Sequence, residues 1–209
     1  MRMRELDLRG SDPAAAPPRS TVTAVLEDAE HVLVRGPVPA LAAALAALWK
    51  AGRLPAVSLG WDPADDPASR GLARDLGIGA ADGERELGLV RDDHGGVLLQ
   101  HGRLAATADP APSRFRRPAR FGAQAHHDDA RVADGEVSRL EVRPDRSTPD
   151  TLSVAVVTVP LRPARRSTGR VLQVACDPAR VWRDGVLLDR PVSRWTWYAD
   201  DRVRWRLRP

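Results

Sequence analysis

The sequence predicts an α/β fold in its N-terminal part and an all-β fold in its C-terminal part. Up to about residue 82, short β-branched segments alternate with segments of strong helix formers, which is typical of a parallel sheet covered by helices. From residue 83 onward, short apolar segments follow one another with turn residues between them, which favours a β-sandwich. We therefore divide the chain into a flexible leader at 1–20, an α/β half at 21–82 and a β-sandwich half at 83–209.

The leader is predicted because the first twenty residues show no hydrophobic period. They contain Gly10, Pro13, Pro17 and Pro18 with small residues between them. This composition is typical of a flexible terminus. We therefore expect ordered structure to begin at Thr21.

The α/β half shows strand and helix signals in alternation. Pro37 and Pro39 suit the first turn of a helix, where no amide donor is needed. Asp66 is a good helix N-cap, and Gly52 is a typical helix stop. The predicted elements are strands at Thr21–Leu26 and His31–Arg35, a helix at Ala40–Ala51, a strand at Leu54–Leu59 and a helix that begins at Pro67.

The all-β half is predicted from apolar segments and the turns between them. The segment Asp92-Asp93-His94-Gly95-Gly96 is typical of a hairpin turn. Asp184-Gly185 and Ala199-Asp200-Asp201 separate the later segments in the same way. The predicted strands are Leu87–Val90, Val97–Leu99, Val137–Val142, Leu152–Val159, Val171–Ala175, Val192–Tyr198 and Val203–Leu207.

The charge of the chain raises the question of an anionic partner. The 209 residues carry a formal charge of +4, and the pI is near 10.3. However, Lys50 is the only lysine, and 28 acidic residues offset most of the arginine charge. The use of arginine in place of lysine is typical of a protein from a GC-rich genome, so the basic pI does not by itself indicate an anionic partner. We therefore do not expect nucleic acid to be the partner.

The sequence also predicts a soluble, cytoplasmic protein. Cys176 is the only cysteine, which fits a reducing compartment. No apolar signal segment follows Arg2 and Arg4. The longest apolar run, Ala40–Trp49, is half of the ~20 residues that a membrane-spanning helix needs. We expect no transmembrane segment, and a peripheral contact with a membrane stays open.

Three polar or aromatic motifs were considered as sites. Adjacent residues of a strand point to opposite faces, so His126-His127-Asp128-Asp129 predicts a solvated turn and no metal site. Near the C-terminus, tryptophans alternate with arginines, which predicts that the tryptophans point inward and the arginines outward. The role of the basic loop at 110–120 stays open; its arginines are Arg114, Arg116, Arg117 and Arg120.

Four segments follow one another along the chain: Arg35-Gly36-Pro37-Val38-Pro39, Arg70-Gly71-Leu72-Ala73-Arg74 with Leu76-Gly77, Ala133-Asp134-Gly135-Glu136 and Asp184-Gly185-Val186. Their order resembles the diacylglycerol kinase family of lipid kinases. In that family a strand runs into Gly-Gly-Asp-Gly-Thr, and a later Gly-Thr loop and Asn-Asp-Phe-Ala-Arg helix end in Leu-Gly. Asp-Gly pairs follow further along the chain, the last of them as Asp-Gly-Glu.

The resemblance implies a truncated α/β nucleotide-binding-like half, without the opening βα segments, followed by the β-sandwich. The working residues of the family are replaced. Gly36 is the only glycine left of the phosphate-binding group, and Pro37 stands where the family has Asp. Arg70-Gly71 stand for the Asn-Asp pair, and Val186 stands for the last Glu.

Catalytic residues act as a unit, so these losses predict a non-catalytic scaffold or binding protein. Its partner would be a nucleotide, a lipid headgroup or another protein. Gly36 is the candidate nucleotide-binding residue, the candidate catalytic residues are Asp134, Glu136 and Asp184, and no metal ligand is predicted.

Two alternatives stay open. The first is an active lipid kinase that uses ATP and magnesium at a rearranged site, with Asp128, Asp129, Asp134 or Glu136 as metal ligands or base. The second is an arginine-rich module that binds nucleic acid or an anionic membrane.

Overall fold

The computed structural model describes residues 2–79, 83–107, 119–159 and 162–208. It has an α/β region followed by a strand-rich region, which confirms the predicted fold class. The helices are α1 (Arg19–Leu26), α2 (Val38–Lys50) and α3 (Pro67–Asp75). The strands are β1 (Met3–Asp7), β2 (His31–Gly36), β3 (Ser58–Pro63), β4 (Arg85–Asp92), β5 (Gly102–Ala106), β6 (Phe121–His127), β7 (Ala130–Val137), β8 (Arg139–Pro144), β9 (Leu152–Val157), β10 (Arg165–Gly169), β11 (Val171–Arg183), β12 (Val186–Leu187) and β13 (Val192–Leu207).

The chain forms two compact units whose limits differ from the predicted division at residue 82. The first unit contains residues up to Leu99, and it also contains Asp184–Val186 and the last ten residues from Asp200. The second unit contains Gln100–Arg183 and Leu187–Ala199. The C-terminal part of β13 belongs to the first unit because its residues pair in parallel with β3.

The first unit is built on the parallel strands β1, β2 and β3, with β2 in the middle. Apolar residues on β2 and on the buried face of α2 form its core, in which Val32, Val34, Leu41 and Leu45 are fully buried. Asp66 caps α3 as predicted, because its carboxylate accepts hydrogen bonds from the amides of the first turn. No helix among the described residues is long and apolar enough to span a membrane.

The prediction of a flexible leader was wrong. Residues 3–7 form β1, which pairs with β2 from Met3 to Asp7, and Leu6 is buried in the core. Charged residues surround Leu6, which is the only buried residue of the strand. The sequence therefore shows no apolar pattern that would predict a strand here. With α1, this strand forms a βα segment ahead of β2, so the expectation that the opening βα segments are missing was also wrong.

The prediction of a strand at Thr21–Leu26 was wrong as well. These residues belong to α1, and Val22 and Leu26 are its buried residues. They stand four residues apart, so they share one face of the helix, which lies against α2. Tertiary packing overrides the β-branched character of this segment.

The second unit is an antiparallel sheet in which the N-terminal part of β13 pairs with β11. The order continues through β5, β8 and β9 to β10 at the edge. Strand β6 also pairs with β11, and β7 pairs with β6. The β-sandwich stays a prediction.

Several predicted strand limits were wrong. The segment predicted as one strand at Val137–Val142 contains the end of β7 and most of β8, and two predicted strands near the C-terminus are one strand, β13. Strand β3 begins at Ser58 rather than Leu54, and Val97 makes only an isolated bridge to Arg91. Strands β5, β6 and β10 were not predicted, because alanine, arginine and glycine give them no clear alternation.

The tryptophans near the C-terminus point inward, as predicted. Trp195, Trp197 and Trp205 are fully buried, whereas Arg194 is exposed and Arg204 and Arg206 are only partly buried. Trp205 donates a hydrogen bond from Nε1 to the carbonyl of Gly88, which satisfies its buried polar atom.

Candidate functional site

The turn between β2 and α2 is the place where the sequence predicts a remnant of a phosphate-binding loop. Gly36 ends β2 with a φ of +140°, a conformation that side chains rarely allow. A Cβ atom there would lie 2.8 Å from the carbonyl oxygen of Leu8 and 2.9 Å from its carbonyl carbon. Gly36 is therefore needed because the backbone of Leu8 crosses directly over it.

The segment after β1 is held in this place by the sheet. The amide of Leu8 donates to the carbonyl of Arg35 at 2.7 Å, which extends the pairing of β1 with β2 by one residue. The side chain of Leu8 is also buried. The chain's own backbone thus occupies the space that a glycine would otherwise open to a ligand.

The carbonyl oxygen of Gly36 is fully engaged. It accepts a hydrogen bond from Nε1 of Trp61 at 3.0 Å and from the amide of Ala64 at 3.1 Å. Trp61 lies on β3 and is itself buried. These contacts tie the turn to the carboxyl end of the neighbouring strand.

The N-terminus of α2 offers few donors to an anion. Pro37 and Pro39 have no amide hydrogen, the residue between them, Val38, is buried, and Pro37 makes no side-chain cap. The amide of Ala40 donates to the carbonyl of Pro37 at 2.9 Å. Phosphate binding at a helix N-terminus needs exposed amides that point at the ligand, and the residues described at this turn offer few of them.

The arginine beside Gly36 is engaged by carboxylates on both neighbouring strands. Nε of Arg35 lies 2.8 Å from a carboxylate oxygen of Glu5 on β1, although its hydrogen is not aligned for a hydrogen bond. Nη1 of Arg35 donates to Asp62 on β3 at 3.0 Å. At the end of β1, the side chain and then the amide of Arg9 lower the pKa of Asp7 to about 2. Positive charge at this edge of the sheet is therefore neutralised within the unit.

A second segment of the first unit that resembles the kinases, Arg70–Arg74, lies on α3. Arg70 forms an ion pair with Asp65, and Leu72 is fully buried. In this segment Arg70 therefore lies on the surface of the helix, and Leu72 packs in the hydrophobic core.

Asp184 lies in a turn between β11 and β12 and belongs to the first unit. It has a φ of +50°, and its carboxylate is buried and accepts a hydrogen bond from the amide of Leu99 at 2.8 Å. The carboxylate of Asp184, a candidate catalytic residue, thus holds the backbone at Leu99, where the first continuous segment of this unit ends.

Asp134 and Glu136 lie on β7 in the second unit, and both are exposed. Asp134 accepts a hydrogen bond from Nη1 of Arg131 at 2.8 Å. A carboxylate oxygen of Glu136 lies 3.8 Å from Nε of Arg120. Each of these candidate catalytic carboxylates therefore faces a guanidinium group.

The predicted polar turn at His126–Asp129 is more structured than expected. His127 is buried and lies 2.6 Å from the hydroxyl of Ser167 through Nδ1. The carboxylate of Asp128 accepts hydrogen bonds from the amides of Arg170 and Val171. Among the described residues, no three His, Cys, Asp or Glu side chains are placed to hold a metal ion.

The basic loop at 110–120 lies mostly outside the described residues, which include Arg120 but not Arg114, Arg116 or Arg117. Sequence reasoning missed Leu8 and Trp61, which close the turn at Gly36. The sequence indicates that Leu8, an apolar residue after a strand, and Trp61, a tryptophan within a strand, are buried. It does not indicate which turn they cover.

Comparison with known proteins identifies the fold. No protein-family model matches the sequence, and no curated protein is significantly similar to it. A diacylglycerol kinase from Bacillus anthracis str. Sterne superposes on this chain with a TM-score of 0.67 at 10% identity, covering 92% of this chain and 83% of the kinase. The fold is diacylglycerol kinase/NAD kinase-like.

Two further solved structures have the same fold. An NAD kinase from Archaeoglobus fulgidus in complex with ATP matches with a TM-score of 0.54 at 11% identity, covering 93% of this chain and 81% of that one. The yeast NADH kinase in complex with NADH matches with a TM-score of 0.53 at 7% identity, covering 92% and 64%. The diacylglycerol kinase/NAD kinase-like fold therefore spans nearly the whole chain, and at this identity the likeness concerns the fold alone.

Proposed function

We propose that this chain is a non-catalytic protein with a diacylglycerol kinase/NAD kinase-like fold that serves as a scaffold or binding protein. The closure of the turn at Gly36 supports this most directly. The backbone of Leu8 covers the glycine, and Trp61 and Ala64 use its carbonyl oxygen. Phosphoryl transfer requires a loop whose backbone can approach the phosphates, and the contacts of Gly36 with Leu8, Trp61 and Ala64 argue against such a role here.

The first prediction concerns nucleotide binding. Thermal unfolding of the purified chain is expected to be unchanged by ATP or ADP with magnesium at millimolar concentration. A ligand at 100 times its Kd would add about 2.7 kcal/mol of stability, which is a rise in Tm of roughly 5–11 °C for a chain of this size. Magnesium alone and inorganic phosphate alone are the controls. A saturable rise with nucleotide that neither control produces would contradict the closed turn.

The alternative of an active lipid kinase is less well supported by the contacts of its candidate residues. The carboxylate of Asp128 is used by backbone amides, and Asp134 and Glu136 face arginines. Lipid phosphorylation by the purified chain that Asp134→Ala abolishes, while Asp189→Ala at an exposed position outside the candidate residues retains it, would support this alternative and overturn the proposal.

A second candidate function is the binding of a polyanion through one face of the second unit. Residues paired side by side on β5, β8 and the adjoining part of β11 share this face. The opposite face of the same strands is apolar and buried, as Leu104, Leu140 and Val181 show. The basic face carries Arg103, Arg139, Glu141, Arg143, Arg180 and Trp182.

Four guanidinium groups against one carboxylate make this face positive. Glu141 is the one acidic residue that these strand segments place on the basic face, and it accepts a hydrogen bond from Arg139 at 2.5 Å. The guanidinium of Arg103 lies over the ring of Trp182 at 4.7 Å from its centroid, within the distance of about 6 Å at which a cation is attracted to an aromatic face. A flat surface of arginines with a stacked tryptophan suits nucleic acid or an anionic membrane.

The second prediction tests this face. Single-stranded RNA and vesicles that contain phosphatidylserine are expected to bind the chain at low salt, with an affinity that falls steeply as salt is raised because counterions are released. The double variant R139Q/R143Q is expected to weaken binding, whereas R190Q/R194Q, which removes two exposed arginines elsewhere in the unit, changes it little. Equal effects of both variants would show that only the net charge of the chain matters.

A further inference from the structure

The second unit contains a pocket that none of the functions above uses. Its volume is about 360 Å³, and it is lined by Arg131, Val132, Arg165, Arg166 and Ser167. This volume is at the lower end of the range of small-molecule sites, roughly 300–1,000 Å³. The lining comes from the start of β7 and the start of β10, segments more than thirty residues apart in the sequence.

The lining is positively charged and holds no carboxylate. Arg131 shares its charge with Asp134, and both side chains are more than half exposed, so this ion pair is weak. The side chains of Arg165 and Arg166 form no hydrogen bond or ion pair with the residues that the structure describes, while their backbone pairs with β9. Their strand, β10, lies at the edge of the sheet. Alternation along the strand places Arg165 on the same face as Ser167, and Arg166 also belongs to the lining of the pocket.

Ser167, the residue that follows these arginines on β10, is hydrogen-bonded to a buried side chain. The hydroxyl of Ser167 lies 2.6 Å from Nδ1 of His127, a side chain only 3% exposed. Burial lowers the pKa of His127, against the opposing charge of Asp128, so its imidazole is neutral at neutral pH. With the imidazole proton on Nδ1, His127 donates to the hydroxyl oxygen of Ser167, and the hydrogen of Ser167 then remains available to a phosphate oxygen.

The backbone around the pocket is also fixed. Asp128 accepts hydrogen bonds from the amides of Arg170 at 3.0 Å and Val171 at 2.8 Å, which joins the turn after β6 to the end of β10. A Cβ atom at Gly169 would collide with Asp128 and would lie 2.9 Å from Nε2 of His127. A side chain at this position would require the side chains of Asp128 and His127 to shift, so Gly169 lets the end of β10 lie close to them.

We infer that this pocket binds the phosphate group of a phosphomonoester through Arg131, Arg165, Arg166 and Ser167. Guanidinium groups match phosphate oxygens with two parallel hydrogen bonds, and the hydroxyl of Ser167 adds a neutral hydrogen bond. Val132 offers an apolar contact to the rest of the ligand. A soluble phosphorylated metabolite and a phosphorylated lipid headgroup share this chemistry. The inference does not depend on whether the turn at Gly36 is closed.

The third prediction tests the pocket by calorimetric titration with inorganic phosphate and glycerol 3-phosphate. Saturable binding is expected, and R165Q/R166Q is expected to weaken it by about tenfold or more, because each charge-assisted hydrogen bond contributes that much. Arg194→Gln is the control, since it removes an exposed arginine of the same unit. Ser167→Ala is expected to weaken binding about threefold to tenfold without loss of the folded state.

The source of the phosphate is tested with phosphatidylcholine vesicles with and without phosphatidylinositol 4-phosphate. Binding to the phosphorylated vesicles that R165Q/R166Q removes, with weak binding of the soluble esters, would assign a lipid headgroup. Binding of the soluble esters alone would assign a metabolite. Absence of saturable binding in both experiments, or equal binding by R165Q/R166Q and Arg194→Gln, would overturn the inference. A rise in Tm with ATP that R165Q/R166Q abolishes would belong to this pocket rather than to the turn at Gly36.

Discussion

Gly36→Ala is expected to lower the free energy of unfolding by roughly 2–5 kcal/mol. Two costs combine at this position. A φ of +140° is strained for any residue with a side chain, and the new methyl group would meet the carbonyl of Leu8 at 2.8 Å. The obstacle is backbone that the pairing of β1 with β2 holds in place, so it cannot move aside as a flexible side chain would. Urea unfolding at neutral pH measures the loss, and Tm should fall by on the order of 10 °C.

Gly10→Ala is the matched control for this substitution. Gly10 belongs to the same unit, and a Cβ atom there would have no neighbour within 4 Å. Its replacement is expected to change stability by less than about 1 kcal/mol. If Gly36→Ala were as mild as Gly10→Ala, the backbone of Leu8 would not be seated on Gly36, and the closed turn that supports the proposed function would be lost with it.

The reason for the glycine is therefore different from the one that the resemblance implied. A phosphate-binding glycine lets a ligand approach the backbone, whereas Gly36 lets another part of the same chain approach it. Both roles require a residue without a side chain, so the presence of glycine at this position does not show which role it has. The prolines at 37 and 39 do distinguish them, because they remove amide donors that a phosphate would need.

The parts of the fold that could be predicted are those with strong local signals. Helix α2 follows from a run of alanines and leucines, and α3 follows from the Asp66 cap and Pro67. The inward tryptophans of β13 follow from strict alternation with arginines. In each case the signal lies within a few residues of the element that it specifies.

The parts that could not be predicted depend on pairing between distant segments. Strand β1 has one buried leucine among charged residues, so its existence depends on β2 lying beside it. The closure at Gly36 needs the register of β1, β2 and β3 together, and the arginine pocket needs β7 and β10 to be brought close. The sequence shows each of these residues but not the pairing that makes them neighbours.

Asp200→Ala is expected to cost roughly 1.5–3 kcal/mol, because it removes a charge-assisted hydrogen bond to the partly buried Arg91. Asp200 lies on the part of β13 that belongs to the first unit, and its side chain is only 9% exposed. It accepts a hydrogen bond from Nε of Arg91 at 2.8 Å and others from the amides of Arg202 and Val203. Arg91 in turn lies over the ring of Trp49 at 4.6 Å, so removal of the carboxylate disturbs the end of β4 as well. Asp201→Ala is the control, since it removes the same charge from the adjacent exposed position.

The pH dependence of this loss separates a charge effect from a packing effect. Burial acts to raise the pKa of Asp200, but the amide of Arg202, the guanidinium of Arg91 and the amide of Val203 together hold the pKa below its ordinary value. A depressed pKa in the folded state means that the carboxylate stabilises the fold fully above the unfolded pKa of about 3.9. This contribution is lost as the pH falls through the lower, folded pKa. Urea unfolding should therefore show a wide gap in stability between the native chain and Asp200→Ala at neutral pH, and the gap should narrow below about pH 4. A gap of constant width would mean that Asp200 acts through its packing and its neutral hydrogen bonds, and that the ion pair with Arg91 contributes little.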